Sequence, residues 1–328
     1  MRILPFLVIT LLTHTSLSAA ALDFDPKQVY RETAPAVVLI AAFDPRQPNQ
    51  SLGTGAIIRS DGLVLTNAHV IFSDKLGRPY SKLRVFLKPR HITGNIKKDT
   101  TRKHKARLLN YSTSLDLALL KIQGGASPFP HLEFADSSRI EIGEPVLAIG
   151  HPEQGGLWTL TTGTISSQIE NFQEIAGKNV FQTETSINKG NSGGPLIDRY
   201  GAMVGINSNI AREGKGGLVI TDINFSIKSN VALRWLDSLG YSFVPAVPGA
   251  FAAMPSLPQE AGIVPMEEPP SAKPRTAVPG EPRILTDRHP YKAEDLRQQV
   301  ETEMENMMEE MRGKIRSGRP AAKTQKTN

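Results

Sequence analysis

The chain has no cysteine, which excludes a disulfide framework, a thiolate nucleophile, an iron–sulfur cluster and every cysteine-ligated zinc site. Any nucleophile it carries is something else. Aromatic residues make up only 6% of the sequence, and no apolar run reaches the roughly 20 residues of a membrane-spanning helix. Charged residues at 21% and hydrophobic residues at 39% lie a little below globular averages, while proline is plentiful at 24 residues. That balance predicts a folded body joined to a loose segment. The 328 residues are enough for about two domains and a sizeable core. A net charge of +6 and a pI near 9.4 speak to solubility and nonspecific attraction before they speak to function.

The two ends differ in kind. Residues 1–21 combine Arg2, an apolar stretch from Ile3 to Leu12 and the small residues Ser18-Ala19-Ala20-Ala21, the pattern of a secretory signal peptide. The apolar stretch is about half the length a spanning helix needs, and His14 keeps it from extending further. Cleavage after Ala20 or Ala21 is therefore expected ahead of a retained anchor, and the chain is expected to be exported, periplasmic or secreted. Residues 241–290 read as a proline-rich linker, with 11 of the prolines falling within 244–290. In 291–312, Leu296, Val300, Met304, Met307, Met308 and Met311 recur at helical spacing, predicting an amphipathic helix. Its methionine stripe leaves open a homo-oligomer, a partner protein or weak packing on the body. Residues 313–328 form a basic tail.

Residues 25–240 read as many short β-branched strands between Gly, Asn and Asp turns, the pattern of barrels or a sandwich. Asp25-Pro26 opens a short helix that Pro35 closes before a strand at 36–42. Ser60-Asp61-Gly62 turns a hairpin between 55–59 and 63–66, the Asp-Gly pair supplying positive φ angles. Further strands are predicted at 84–87, 106–110, 117–122, 145–149, 159–166, 180–183, 195–197, 203–209 and 219–227. Ser229-Asn230 is read as the cap of a last helix at 231–239.

Gly190-Asn191-Ser192-Gly193-Gly194 is the most informative stretch. Three glycines around one serine leave backbone amides bare, and two such N–H groups can stabilise a developing oxyanion. The backbone N–H groups of Gly190 and Ser192 are the candidates, against the plainer reading of a glycine turn between strands. Serine needs a base. Among the histidines, His69 ends the apolar run Leu65-Thr66-Asn67-Ala68, whereas His91, His104, His131, His151 and His289 stand in basic or proline-flanked contexts that read as surface. Asp116 opens the apolar run 117–120, where a buried carboxylate must be paired, and a histidine Nδ1–H is one partner that would serve.

The order His69, Asp116, Ser192 resembles that of the trypsin-like serine proteases, and more closely the HtrA/Deg branch of bacterial exported proteases. The matching stretches are Gly53-Thr54-Gly55-Ala56-Ile57-Ile58, 65–70, 116–122, 190–196 and Asn224-Phe225-Ser226-Ile227-Lys228-Ser229-Asn230. The resemblance implies a mostly β fold of two antiparallel six-stranded barrels, the first at about 35–125 and the second at about 140–230. It implies a serine endopeptidase in which Ser192 attacks, His69 is the base and Asp116 orients it, with no metal or cofactor. Two departures matter. Asn191 stands where many trypsin-like zymogens carry aspartate, so activation by a new N-terminus is not expected, and the glycine-rich 213–217 is the candidate for setting the oxyanion loop. No PDZ domain is recognisable, since proline-dense residues 244–290 cannot supply its strands.

By position in that family, Ser186 lies near the base of the primary pocket, and Ile206, Asn207, Ile223, Asn224 and Phe225 contribute walls or substrate-pairing backbone. None is acidic, so a small or medium apolar side chain is the expected preference. Residues 82–107 hold ten Lys/Arg against one acid, Asp99. A solvated loop is the plainer reading and an anionic membrane surface the alternative, with nucleic acid disfavoured by export. The expected activity is cleavage of unfolded or exposed polypeptide in envelope quality control or processing. A catalytically silent binding or chaperone module is the alternative, and a serine esterase would use the same machinery.

Overall fold

The computed structural model describes residues 24–45, 50–125, 127–153, 155–208 and 223–246. The segment read as a signal peptide, the 247–290 part of the proline-rich stretch, the helix at 291–312, the tail and the glycine-rich stretch 213–217 lie outside the described residues.

The first element starts where an aspartate meets a proline. Asp25 accepts from the Lys27 and Gln28 amides at 2.9 and 3.2 Å and caps α1 (Pro26–Thr33). A 3₁₀ turn at Ala34–Ala36 then leads into β1 (Val37–Phe43). All seven β1 residues are apolar and buried, because the strand is covered on both faces. Val38, Ile40 and Ala42 join Ile57, Val64, Val85 and Leu120 in one apolar cluster. Val37, Leu39, Ala41 and Phe43 join a second cluster that includes Leu147, Ile149, Trp158 and Ile197 from the other half of the fold. The period of two thus divides β1 between a barrel interior and the layer joining the barrels.

The first half continues through β2 (Gln50–Arg59), β3 (Leu63–Thr66), α2 (Ala68–Ile71), β4 (Phe72–Ser73), β5 (Arg78–Pro79), β6 (Lys82–Leu87), α3 (Ile96–Asp99), β7 (Lys103–Ser112) and β8 (Leu117–Gln123). Six of its strands close an antiparallel barrel in the order β1-β2-β3-β8-β7-β6. The second half holds β9 (Pro145–Gly150), β10 (Thr159–Ile169), β11 (Val180–Thr183), β12 (Pro195–Ile197), β13 (Met203–Ser208) and β14 (Asn224–Lys228). They close a second six-stranded barrel, β10-β11-β14-β13-β12-β9, around Val146, Ala148, Ile165, Phe181, Leu196 and Val204. α4 (Ser229–Ser238) follows. The fold is the mostly β pair of six-stranded barrels that the sequence resemblance implied.

Several local expectations need correction. His69 does not end a strand; β3 stops at Thr66 and His69 lies in the one-turn α2. Of the Asp61-Gly62 pair only Gly62 takes a positive φ, +88°. Ser229 and Asn230 do not cap α4 but lie inside it, their side chains tied to Ala135, Asp136 and Ser137. The last strand begins at Asn224 among the described residues. Along β7 the side chains of Lys103, Lys105 and Arg107 alternate outward, while Asp99 is buried with its carboxylate accepting from Thr93 and Gly94. The lone acid of the basic segment is thereby bonded to its own loop.

Candidate active site

The turn just ahead of β8 holds the residue that anchors the site. Asp116 takes φ +57°, a left-handed conformation that aspartate tolerates better than most residues, and its carboxylate is buried at 2% exposure. A carboxylate so placed must be saturated with donors. It accepts from the His69 backbone N–H at 3.1 Å, from His69 Nδ1 at 2.9 and 3.0 Å, and from Ser208 Oγ at 2.9 Å. Asn67 Nδ2 donates to the Asp116 carbonyl at 2.9 Å, tying β3 to β8 just ahead of α2. The His69 Nδ1 contact places that nitrogen as the donor to the carboxylate, leaving Nε2 as the available lone pair. The imidazole is 35% exposed, open to a reacting group while its far side is held.

Ser208, at the end of β13, is invisible in the sequence. A serine closing an apolar strand carries no pattern of its own, and its role emerges only from the pairing that sets β13 against the first barrel. Lys178, buried on the β10–β11 hairpin, carries no sequence signal either. Burial pulls its ammonium pKa down, and the negative charge of Asp116 pulls it partly back.

The serine loop is seated on the residues around His69. Thr54 N–H donates to the Ser192 carbonyl at 2.9 Å, and Gly193 N–H donates to the Asn207 carbonyl at 2.8 Å. Gly193 has φ +82°, and a Cβ there would run into Thr66 Oγ1, the Thr54 carbonyl and the Asn67 amide. A Cβ on Gly53 would meet both the Val70 methyls and the Ser192 carbonyl. The loop therefore rests on Thr66 and Asn67, before His69, and close to Val70, after it. Ser192 is 4% exposed. Among the described residues its hydroxyl makes no hydrogen bond, a looseness common in unliganded sites. The N–H groups of Gly190 and Ser192 likewise meet no protein acceptor among the described residues, so both are free to take an oxygen of a bound molecule.

The six residues expected around a primary pocket separate into two groups. Ser186 is exposed, and Ile223 and Phe225 are half-buried, Phe225 stacking on Phe172 with ring centroids 4.6 Å apart. Ile206, Asn207 and Asn224 are at most 2% exposed. Asn207 braces the loop, donating to the Pro195 carbonyl at 3.0 Å and accepting from Ser226 Oγ at 2.6 Å. The Ser186 carbonyl accepts from Asn191 Nδ2 at 3.3 Å.

His151 overturns its sequence reading. Expected at the surface because Pro152 comes next, the ring is buried at 4% exposure, edge-on to Trp158 with centroids 4.8 Å apart. Its Nδ1 lies 2.9 Å from Thr54 Oγ1, and among the described residues the buried Nε2 has no hydrogen-bond partner. Burial alone pushes its pKa down to about 3, so the ring is neutral across the physiological range. His104, also read as surface, is half-buried against Phe129.

Known proteins resemble this chain over its barrel region. Residues 53–206 match the family described as the trypsin-like peptidase domain. A probable periplasmic serine endoprotease, DegP-like, of Chlamydia trachomatis is 35% identical over 196 residues, covering 60% of this chain and 35% of that protein. The periplasmic pH-dependent serine endoprotease DegQ of Escherichia coli is 35% identical over 190 residues, covering 57% of this chain and 37% of that protein. Among solved structures, the HtrA-type protease AlgW with a tripeptide matches with a TM-score of 0.53 and 30% identity, over 66% of this chain and 63% of that one. The matched region spans only about a third of the length of the curated relatives.

Proposed function

We propose that the chain, similar over residues 53–206 to the trypsin-like peptidase domain and to HtrA/DegP-like proteases, is a serine endopeptidase that hydrolyses unfolded or exposed polypeptide through an acyl-enzyme. The observation that supports this reading best is the saturated Asp116 carboxylate holding His69 Nδ1 beside the seated Ser192 loop. Ser192 Oγ attacks the scissile carbonyl, and His69 Nε2 takes its proton and later gives it to the leaving amine. Asp116 keeps the imidazole in that tautomer and stabilises its cation without taking the proton itself. The Gly190 and Ser192 amides receive the charge that develops on the carbonyl oxygen. Water then repeats the sequence on the ester, restoring Ser192.

Ser186, Ile223 and Phe225 are assigned to the substrate groove, with a small or medium apolar side chain preferred, since no acid among the six candidate residues could neutralise a buried arginine. Export to the periplasm and a role in envelope protein quality control or processing accord with the kind of relatives the chain has. Among the described residues no helix is long and apolar enough to cross a membrane.

The test is cleavage of unfolded casein by wild type and Ser192→Ala under identical conditions. Cleavage lost only in the variant supports the endopeptidase. Equal cleavage by both proteins contradicts it, and a peptide library cut efficiently after arginine contradicts the pocket assignment.

A further inference from the structure

The segment after β9 reaches the oxyanion turn from behind. Thr54 Oγ1 has two neighbours, the Gly190 carbonyl at 2.6 Å and His151 Nδ1 at 2.9 Å. A hydroxyl has one proton, and a carbonyl can only accept. The Thr54 proton therefore goes to Gly190, and His151 Nδ1 carries the hydrogen that goes to Thr54. Two residues on, the Glu153 amide donates to the Lys189 carbonyl at 2.8 Å. In a trans peptide the N–H points opposite to the C=O. With the Lys189 carbonyl held toward Glu153, the Gly190 N–H must face the other way, into the site. Gly190 itself has φ +97°, and a Cβ there would run into the His151 carbonyl. Both carbonyls flanking the Gly190 residue are thus held by 151–153 and Thr54.

The ring of His151 is not free to turn. Trp158 lies against it, with Nε1 donating to the Val37 carbonyl at 2.8 Å, and Tyr30 Oη donates to the Trp158 carbonyl at 2.8 Å. The slot is built from α1, β1 and the β9–β10 connection, all outside the groove. An apolar ring would fill this slot as well and would avoid leaving a buried Nε2 without a partner. What an apolar ring cannot do is donate to Thr54 and fix which way its hydroxyl points.

We propose that His151 is a positioning residue for the reaction, acting through Thr54 to lock the Gly190 carbonyl and so aim the oxyanion amides. This rests on the endopeptidase reading and deepens it. The relay touches no substrate, so it acts on turnover rather than on binding.

The test compares His151→Phe, which keeps a ring against Trp158 and loses the donor, with His151→Asn, whose Nδ2 stands close to where the imidazole Nδ1 was. Thr54→Val and the double variant complete the set. Each is assayed for kcat and KM on an unfolded peptide substrate and for the rate at which a fluorophosphonate labels Ser192. His151→Phe should lower kcat and the labelling rate by about tenfold with KM within about twofold, the size expected for one buried hydrogen bond acting in the transition state. His151→Asn should recover most of the loss. Thr54→Val should fall at least as far as His151→Phe, and the double variant no further than Thr54→Val, because the two residues act in one chain. Unchanged kcat in a folded His151→Phe overturns the proposal, as does a rise in KM at constant kcat. Should His151→Phe fail to fold, a folded His151→Asn whose kcat falls as far as that of Thr54→Val overturns it equally, because its Nδ2 keeps the donor to Thr54. Wild type that neither cleaves nor labels would instead remove the endopeptidase reading, and the relay's role in turnover with it.

Discussion

The His69 half of the site is held by side chains from both barrels, the Ser192 half chiefly by bonds to main-chain carbonyls. Asp116 is fixed by four hydrogen bonds, three of them from His69 groups and one from Ser208. On the Ser192 side the bonds run through carbonyls and amides: Thr54 to Ser192, Gly193 to Asn207, Glu153 to Lys189. In the proposed reaction the difference reflects what each half must present. A base needs a charged partner in a place that water cannot screen, which a buried carboxylate supplies. An oxyanion site needs bare amides, which only small residues in unusual conformations leave exposed. Substitutions on the first side should therefore separate activity from stability, and those on the second should damage both.

The largest expected effect sharpens that contrast. Asp116→Asn should keep the fold and lower kcat by about ten-thousandfold, because the amide presents the wrong hydrogen-bonding face to His69 Nδ1. Thermal melts beside peptide hydrolysis would check it, and a large loss of stability would break the comparison. On the other side, Gly193→Ala should lose about 2–4 kcal/mol of stability together with most activity, since its φ is +82° and the new Cβ has no room. A stable, inactive Gly193→Ala would show that main-chain strain does not tie the two properties together. Smaller again, Ser208→Ala removes one donor to Asp116 and should cost about five- to tenfold in kcat with the melting point nearly unchanged.

The smallest effect is in the pH dependence of stability, and it sets two buried groups of the second barrel against each other. Burial lowers the His151 pKa to about 3 from 6.5. As pH falls from 6.5 toward 3 the unfolded chain takes up a proton that the folded chain refuses, so this group destabilises the fold in acid. Burial raises Asp198 to about 6 from 3.8, against the lowering effect of the Ala202 and Tyr200 amides. Its contribution is full below 3.8 and is lost as pH rises through 6. Between pH 4 and 6 the two slopes oppose. Asp198→Asn should make stability fall more steeply toward acid than in wild type, and His151→Phe should make it fall less, as read from urea midpoints at several pH values.

Much of the first side is legible in the sequence. β-branched runs mark the strands, the β3 bounds emerge as Leu63–Thr66, and a carboxylate ahead of an apolar run announces a buried acid. The second side is legible only as glycines. Thr54 and His151 act on backbone carbonyls from residues far along the chain, and such contacts leave no spacing to read. His151 misleads because proline after histidine suggests an exposed turn, whereas here the ring packs edge-on against Trp158 and is buried. The pairing of Ser208 with Asp116 spans 92 positions and depends on how the barrels meet, which no local pattern encodes.

The central claim is that Ser192, His69 and the two amides act together on an acyl carbon. Its most direct measurement is mass spectrometry of the purified protein after brief exposure to a fluorophosphonate, comparing wild type with His69→Ala and Ser192→Ala. The account predicts one adduct in wild type, mapped to Ser192, slowed by at least about a thousandfold in His69→Ala and absent in Ser192→Ala. An adduct elsewhere, or labelling of Ser192 at the same rate without His69, would contradict it.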